Sequence, residues 1–314
     1  MAKKSKRGTG RPGSDRAERV AARKARQAQA LAAPARPFAG LAAECDIVAL
    51  RAFVASATAS VTVHGEAGSN AVSLATILPG AVQALTRDLG GSVEGLVALQ
   101  TEFEGSDIPG ELAHALRWAS RAEAGAPYEP RPEDTDVDGA EADGEADLAA
   151  TFGADTTLDI TLHDDFSWWF ADSADISPDI AAMIEQASES ILPTARIVGE
   201  NLSGAPWWVD AGERAHVRWV RPEAEDDVMT ALARLHAAGK LTLGEGSKFA
   251  GSFRTHGLLV PVFDLDNEMH HEEWTAPCAR FEADLADALA QTGDLTGEQR
   301  RSRDGIRGRQ VTLR

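Results

Sequence analysis

The run from Asp227 to Asp266, DVMTALARLHAAGKLTLGEGSKFAGSFRTHGLLVPVFDLD, constrains this chain more than any other segment. It joins a helix, a glycine-rich connector and an apolar strand without a polar break. A helical stripe and a strand this close together have to share a core, so the run specifies a folded domain. It specifies no reaction. With 314 residues, 43% of them apolar, the chain is long enough for one large domain or two smaller ones.

Several function classes drop out on composition. No window approaches about eighteen uncharged apolar residues, so a helical membrane span is not expected. The start, MAKKSKRGTGRPGSDRAERVAARKARQ, has a basic flank and no hydrophobic region behind it, unlike a secretory signal. Cys45 and Cys278 are the two cysteines, too few for a disulfide scaffold and in keeping with a reducing cytoplasm. Charge is distributed unevenly. Residues 1–36 carry eleven Lys or Arg against Asp15 and Glu18, a sum of +9, which leaves −27 for the rest of a chain whose net charge is −18. The stretch from Arg300 to Arg314 is again cationic, six arginines against Asp304.

The segments RPFAGLAAECDIVALRAFVASATASVTV, ATILPGAVQALTRDLGG, the run from Asp227 and the ending RQVTLR resemble a family of high-GC bacterial, actinobacterial proteins about this long. That family carries a domain of unknown function, and the resemblance spans roughly residues 36 to 314. Some relatives are labelled preprotein translocase SecA-like because an N-terminal SEC-C zinc motif of the type PCPCGSGRRYKACHG precedes the domain. Residues 1–35 here hold no cysteine or histidine. The translocase label therefore has no residues to rest on, and the resemblance implies only a cytoplasmic protein without an assigned activity.

Pattern along the chain predicts four regions. Residues 1–36 read as a disordered basic arm with transient helix from Asp15 to Leu31, because ordering them costs about 1–2 kcal/mol per residue with little apolar surface to offset it. Residues 37–124 read as a first α+β subdomain: a helix over Cys45–Ala55, strands over Ser60–His64, Val72–Leu78 and Val93–Thr101, a helix over Ala81–Arg87 and another over Pro109–Glu123. Residues 125–150 read as an acidic linker, with nine carboxylates against Arg131 in GAPYEPRPEDTDVDGAEADGEAD. Residues 151–314 read as a second α+β subdomain. Its strands are expected over Thr156–His163, Thr194–Gly199, Ala215–Arg221 and Leu258–Leu265, and its helices over Pro178–Ser190, Pro222–Ala238 and Ala276–Gln291. The fold class is thus α+β, two similar halves with mixed or mainly antiparallel sheets packed by helices. The order of elements in the halves suggests a weak internal repeat.

Candidate chemistry is sparse. The connector offers Gly244, Gly246, Ser247, Lys248, Arg254 and His256 as ligands for a small anion, since glycine-rich backbone converges N–H groups and the cations add charge. It matches neither GxxxxGK[ST] nor GxGxxG, and a tight packing loop explains it as well. Asp134, Asp136, Asp138, Gly139 and Glu145 fall at calcium-loop spacing, but Ala140 and Ala142 do not suit one and amphipathic helices do not flank it. In MHHEEW, adjacent side chains on an extended segment point apart, so at most His270 with Glu272, or His271 with Glu273, could share one metal, and an exposed polar loop is the favoured reading. His163, Asp164 and Asp165 suit acid–base work and equally a turn. Neither a metal nor a cofactor is expected. Trp168, Trp169, Trp207, Trp208 and Trp219 cluster in the second half, and an outward ring from each WW pair would give a partner-binding surface. Lys3, Lys4, Lys6, Arg7 and Arg11 could hold nucleic acid nonspecifically, each phosphate contact adding about −0.9 to the salt slope. The leading expectation is a cytoplasmic binding or adaptor protein using the Trp-rich half. The alternatives are an enzyme or binder of a small anionic ligand at the connector, and a nucleic-acid or ribosome-associated factor acting through the arm.

Overall fold

Strand periodicity in the two halves resolves into two sheets. In the computed structural model, which describes residues 36–65, 68–102, 107–130, 147–171 and 176–312, the first sheet has five strands. These are β1 (Ala57–Val61), β2 (Ala71–Ile77), β3 (Ala84–Asp88), β4 (Val93–Gln100) and β5 (Ile160–Leu162), in the order β3-β4-β2-β1-β5. The pairing of β2 with β4 is parallel and the other pairings are antiparallel. The second sheet has six strands: β6 (Thr194–Arg196), β7 (Ala205–Asp210), β8 (Ala215–Val220), β9 (Ser247–Thr255), β10 (Leu258–Leu265) and β11 (Gln310–Thr312). Their order is β11-β9-β10-β8-β7-β6, with β11 parallel to β9 and the rest antiparallel. The architecture is α+β, two sheet–helix halves. The described residues all belong to a compact unit spanning Arg36–Arg314.

A short helix sits between the sheets. Helix α1 (Glu44–Ala52) buries Cys45, Ile47, Val48, Ala49 and Leu50, a nearly unbroken apolar run that suits an element covered on more than one side. It touches β4 on one side and β7 and β8 on the other. The resulting cluster joins Val72, Leu74, Val97 and Leu99 of the first sheet to Ala205, Trp207, Val220, Leu258 and Val260 of the second. Two ion pairs clamp the helix: Arg36 with Glu44 at 2.5 Å and Arg196 with Asp46 at 2.8 Å. Helix α2 (Ile108–Arg121) lies against β4 so closely that a Cβ on Gly95 would stand 2.6 Å from Ala119.

The outer faces are covered too. Ala75, Leu78, Leu96 and Ala98 meet Phe166, Trp169 and Ile184, the last from α3 (Pro178–Ser188). On the far side of the second sheet pack α4 (Glu225–Ala237), α5 (Thr275–Leu289) and α6 (Gly297–Arg307). Among the described residues no helix is long and apolar enough to cross a membrane.

Several elements differ from the sequence expectation. The helix expected over Ala81–Arg87 is a 3-10 turn at Pro79–Ala81 followed by β3, because Ala84 and Thr86 alternate into the core and the strand pairs with β4. Asp88 closes that hairpin by accepting from the backbone N–H groups of Gly90 and Gly91. The connector from Gly244 to His256 is mostly β9, with a turn only at its start. Gly251 there has φ 156°, and a Cβ on it would lie 2.8 Å from the Arg309 carbonyl, so glycine admits β11 alongside. Strand β5 is shorter than expected and pairs with β1, so the second half contributes an edge to the first sheet. Helix α6, almost wholly polar, was not expected; it is held by the Thr296–Gln299 capping box and by buried Ile306.

Burial pushes the thiols of Cys45 and Cys278 up from 9.0 to about 12, in Cys45 with added repulsion from Glu44 and Asp46, in Cys278 from Glu282. Both are free. Keeping them neutral stabilises the fold fully below pH 9, and that contribution is lost as pH rises toward 12. Native protein is expected to resist iodoacetamide at pH 8 and to take two labels only in denaturant, read by intact mass.

Candidate functional site

The expected connector site does not assemble. Gly244 and Gly246, with φ 114° and 76°, form the turn into β9 and satisfy it locally. The Gly244 N–H donates to Thr242 Oγ1 at 3.1 Å, the Ser247 N–H to the Gly244 carbonyl at 3.1 Å, and Ser247 Oγ accepts from the Leu243 N–H at 2.8 Å. Lys248 is exposed and is the register partner of Asp264. Arg254 donates to Glu225 Oε1 of α4 at 2.7 Å. His256 lies in the β9–β10 turn, where its Nε2 accepts from Arg51 Nε at 3.1 Å. A strand of nine residues spans roughly 30 Å, so Gly244 and His256 stand at opposite ends of it.

The tryptophans are mostly core. Trp207 and Trp208 point to opposite faces of β7, as alternation requires, but both faces are covered: relative exposure is 0% for Trp207, 9% for Trp208 and 1% for Trp219. Trp207 packs with α1, while Trp208 and Trp219 pack with α4 and α5. Trp168 and Trp169 sit in a 3-10 turn, not on a strand. Trp169 stacks on Phe166 and donates to the Ile77 carbonyl at 2.9 Å. Trp168 is half-buried, stacks on His163 with centroids 5.3 Å apart, and donates to Ser56 Oγ at 2.9 Å.

The two polar clusters are turns. Asp165 accepts from the Ser167 hydroxyl and N–H, which hold its carboxyl below the usual range. Burial keeps His163 below its ordinary value against the pull of Asp165 and Asp164, and its Nε2 lies 2.9 Å from Thr58 Oγ1. His270 and His271 do not point apart: a 3-10 turn brings their rings to 4.1 Å, and buried Trp274 anchors it. Burial, then His270, lowers the pKa of His271. No three metal-ligating side chains converge among the described residues. The calcium-spaced carboxylates from Asp134 to Glu145 and the arm cations Lys3, Lys4, Lys6, Arg7 and Arg11 lie outside the described residues.

One group was not anticipated. On β8, Val217 and Trp219 face the helices while His216, Arg218 and Val220 face the other way. Val220 lies in the α1 cluster, but α1 stops at Ala52, and the next residue, Phe53, places its ring 5.4 Å from the Arg218 guanidinium. Arg218 is half-buried, burial lowers its pKa, and no carboxylate or carbonyl among the described residues partners it. The nearest acid by register, Asp264, is already engaged by His216 at 3.1 Å and Arg214 at 3.2 Å. Arg221, three residues on, shows what a satisfied arginine looks like here. Its burial would lower its pKa, yet bonds to Glu282 and Glu223 hold it above the ordinary value.

The residues from 37 to 314 match the model of a family described as a family of unknown function, DUF5926. The chain belongs to that family. The match starts within one residue of the compact unit at Arg36. Neither the curated proteins nor the solved structures give a match, so in this DUF5926 member function has to be argued from the residues. A planar guanidinium laid on an aromatic ring has the geometry that suits an oxyanion. Sequence alone offered only the alternation of HVRWVR; the end of α1 that leaves Arg218 uncovered is set by tertiary packing.

Proposed function

We propose that this protein is a binding protein that captures an acidic group of a partner on the open part of the second sheet, with Arg218 as the anchor. The half-buried guanidinium on Phe53, without a carboxylate or carbonyl partner among the described residues, carries the reading. On the same face Arg214 and Lys248 flank Asp264, on a body whose residues beyond the first 36 sum to −27. Phe253, 6.2 Å from Phe53, supplies apolar contact beside the charge. This moves the docking surface away from the tryptophans to a face where a substitution can be made without opening the core. The two buried free thiols support a reducing, cytoplasmic setting. A translocase role of the kind implied by SEC-C-bearing relatives has no cysteine or histidine in residues 1–35 to support it.

Removing an uncompensated half-buried charge should cost the fold little. Arg218→Met is expected to change unfolding free energy by no more than about 1 kcal/mol in urea. In the same variant the affinity for a labelled hexaglutamate peptide, followed by anisotropy at low salt, is expected to fall at least tenfold. A loss of stability above about 2 kcal/mol, or unchanged peptide affinity, would reject Arg218 as the anchor.

A further inference from the structure

A second group of arginines lies on the opposite side of the second sheet, where α4, the α5–α6 connection and α6 line an open cavity of about 320 Å³. Its walls are Thr230, Gly293, Asp294, Leu295, Arg300 and Arg303. Three hydrogen bonds fix the connection. Arg234 of α4 donates to the Ala288 and Gly293 carbonyls, each at 2.7 Å, and Arg300 Nη1 donates to the Leu295 carbonyl at 2.6 Å.

Arg303 and Arg254 share a feature in this region. Each has an Nε shut off from solvent without a hydrogen-bond partner among the described residues. Neighbouring arginines are matched to acids: Arg307 to Asp226 at 2.7 Å and Arg254 to Glu225 at 2.7 Å. Arg300 and Arg303 have no carboxylate partner among the described residues, although Asp294 shares their cavity.

We infer that this cavity is a binding site for a phosphate group. Two guanidinium groups and the Thr230 hydroxyl suit a tetrahedral oxyanion with several acceptor oxygens. Asp294 in the wall selects among anions, because a phosphate that retains a proton can donate to a carboxylate, whereas sulfate and ionised carboxylates at neutral pH cannot. Free phosphate and a phosphate monoester share this chemistry.

The full-length chain titrated with inorganic phosphate, sulfate and adenosine monophosphate, followed by calorimetry, tests the assignment. Saturable phosphate or monoester binding is expected, at least tenfold tighter than sulfate and at least tenfold weaker in Arg303→Gln. Tighter binding of the monoester assigns the site to a phosphate-bearing metabolite, and tighter binding of inorganic phosphate to the free ion. Arg300→Gln, on the exposed rim, gives the same reading should Arg303→Gln unfold. Arg218→Met is expected to bind phosphate as the wild type does, which keeps this site separate from the acidic-partner surface. No saturable binding, equal binding of sulfate, or phosphate affinity untouched by both arginine variants would overturn it.

Discussion

Arg221→Ala is expected to destabilise the protein by about 3–5 kcal/mol, the cost of stranding buried Glu282 by removing its partner. Arg221 is fully buried, and its five N–H donors meet five acceptors. Nη1 and Nη2 reach Glu282 at 2.5 and 3.2 Å, Nε and Nη2 reach Glu223 at 3.0 and 2.5 Å, and Nη1 also reaches the Ser203 carbonyl at 3.1 Å. Through Glu282 the arginine ties the end of β8 to α5, 61 positions away in the chain. Urea unfolding of Arg221→Ala, of Glu282→Met and of Arg221→Met with Glu282→Met separates the pair from its burial. The double variant is expected to recover most of the loss, since an apolar pair of similar volume carries no desolvation cost. A single variant that costs under about 1 kcal/mol would show that the network is not fully buried in solution.

Trp207→Ala is expected to cost a similar amount, about 3–5 kcal/mol, through lost burial and the cavity left between α1 and the second sheet. The ring is fully buried in the cluster that spans both sheets. Its Nε1–H has no partner among the described residues, so Trp207→Phe, which removes that donor and keeps an aromatic, is expected to lose distinctly less. Thermal unfolding followed by near-UV circular dichroism measures both. This outcome matters for function: a partner lost on changing Trp207, Trp208 or Trp219 reports a damaged core, and only Arg218 and its exposed neighbours test docking directly.

Much of the element list could be read from periodicity. Strand β10 occupies Leu258–Leu265 as predicted, and α1, α2, α3, α4 and α5 fall within a few residues of their expected spans. The misreadings have a common cause. Strand β9 contains Gly251, Ser252 and Lys248, a composition that reads as loop until β10 and β11 are known to flank it. Strand β3 has the residues of a short helix, ALTRD, and becomes a strand because β4 offers it a hairpin partner. Helix α6 has little apolar surface of its own and is held by its cap, by Ile306 and by the Arg307–Asp226 pair.

The candidate site was less legible than the fold. A WW pair on a strand shows that the rings face opposite ways, but not whether both faces are covered. Arg218 and Arg221 are the same residue type, three positions apart at the end of one strand. Sequence determined that β8 would form and which of its residues share a face, because alternation is a local property of the chain. Only the tertiary structure decided that Arg221 meets Glu282 from α5 while Arg218 extends past the end of α1 onto Phe53, with no acid among the described residues to receive it. Local periodicity sets where a side chain points; what it finds there depends on segments brought together from far along the chain.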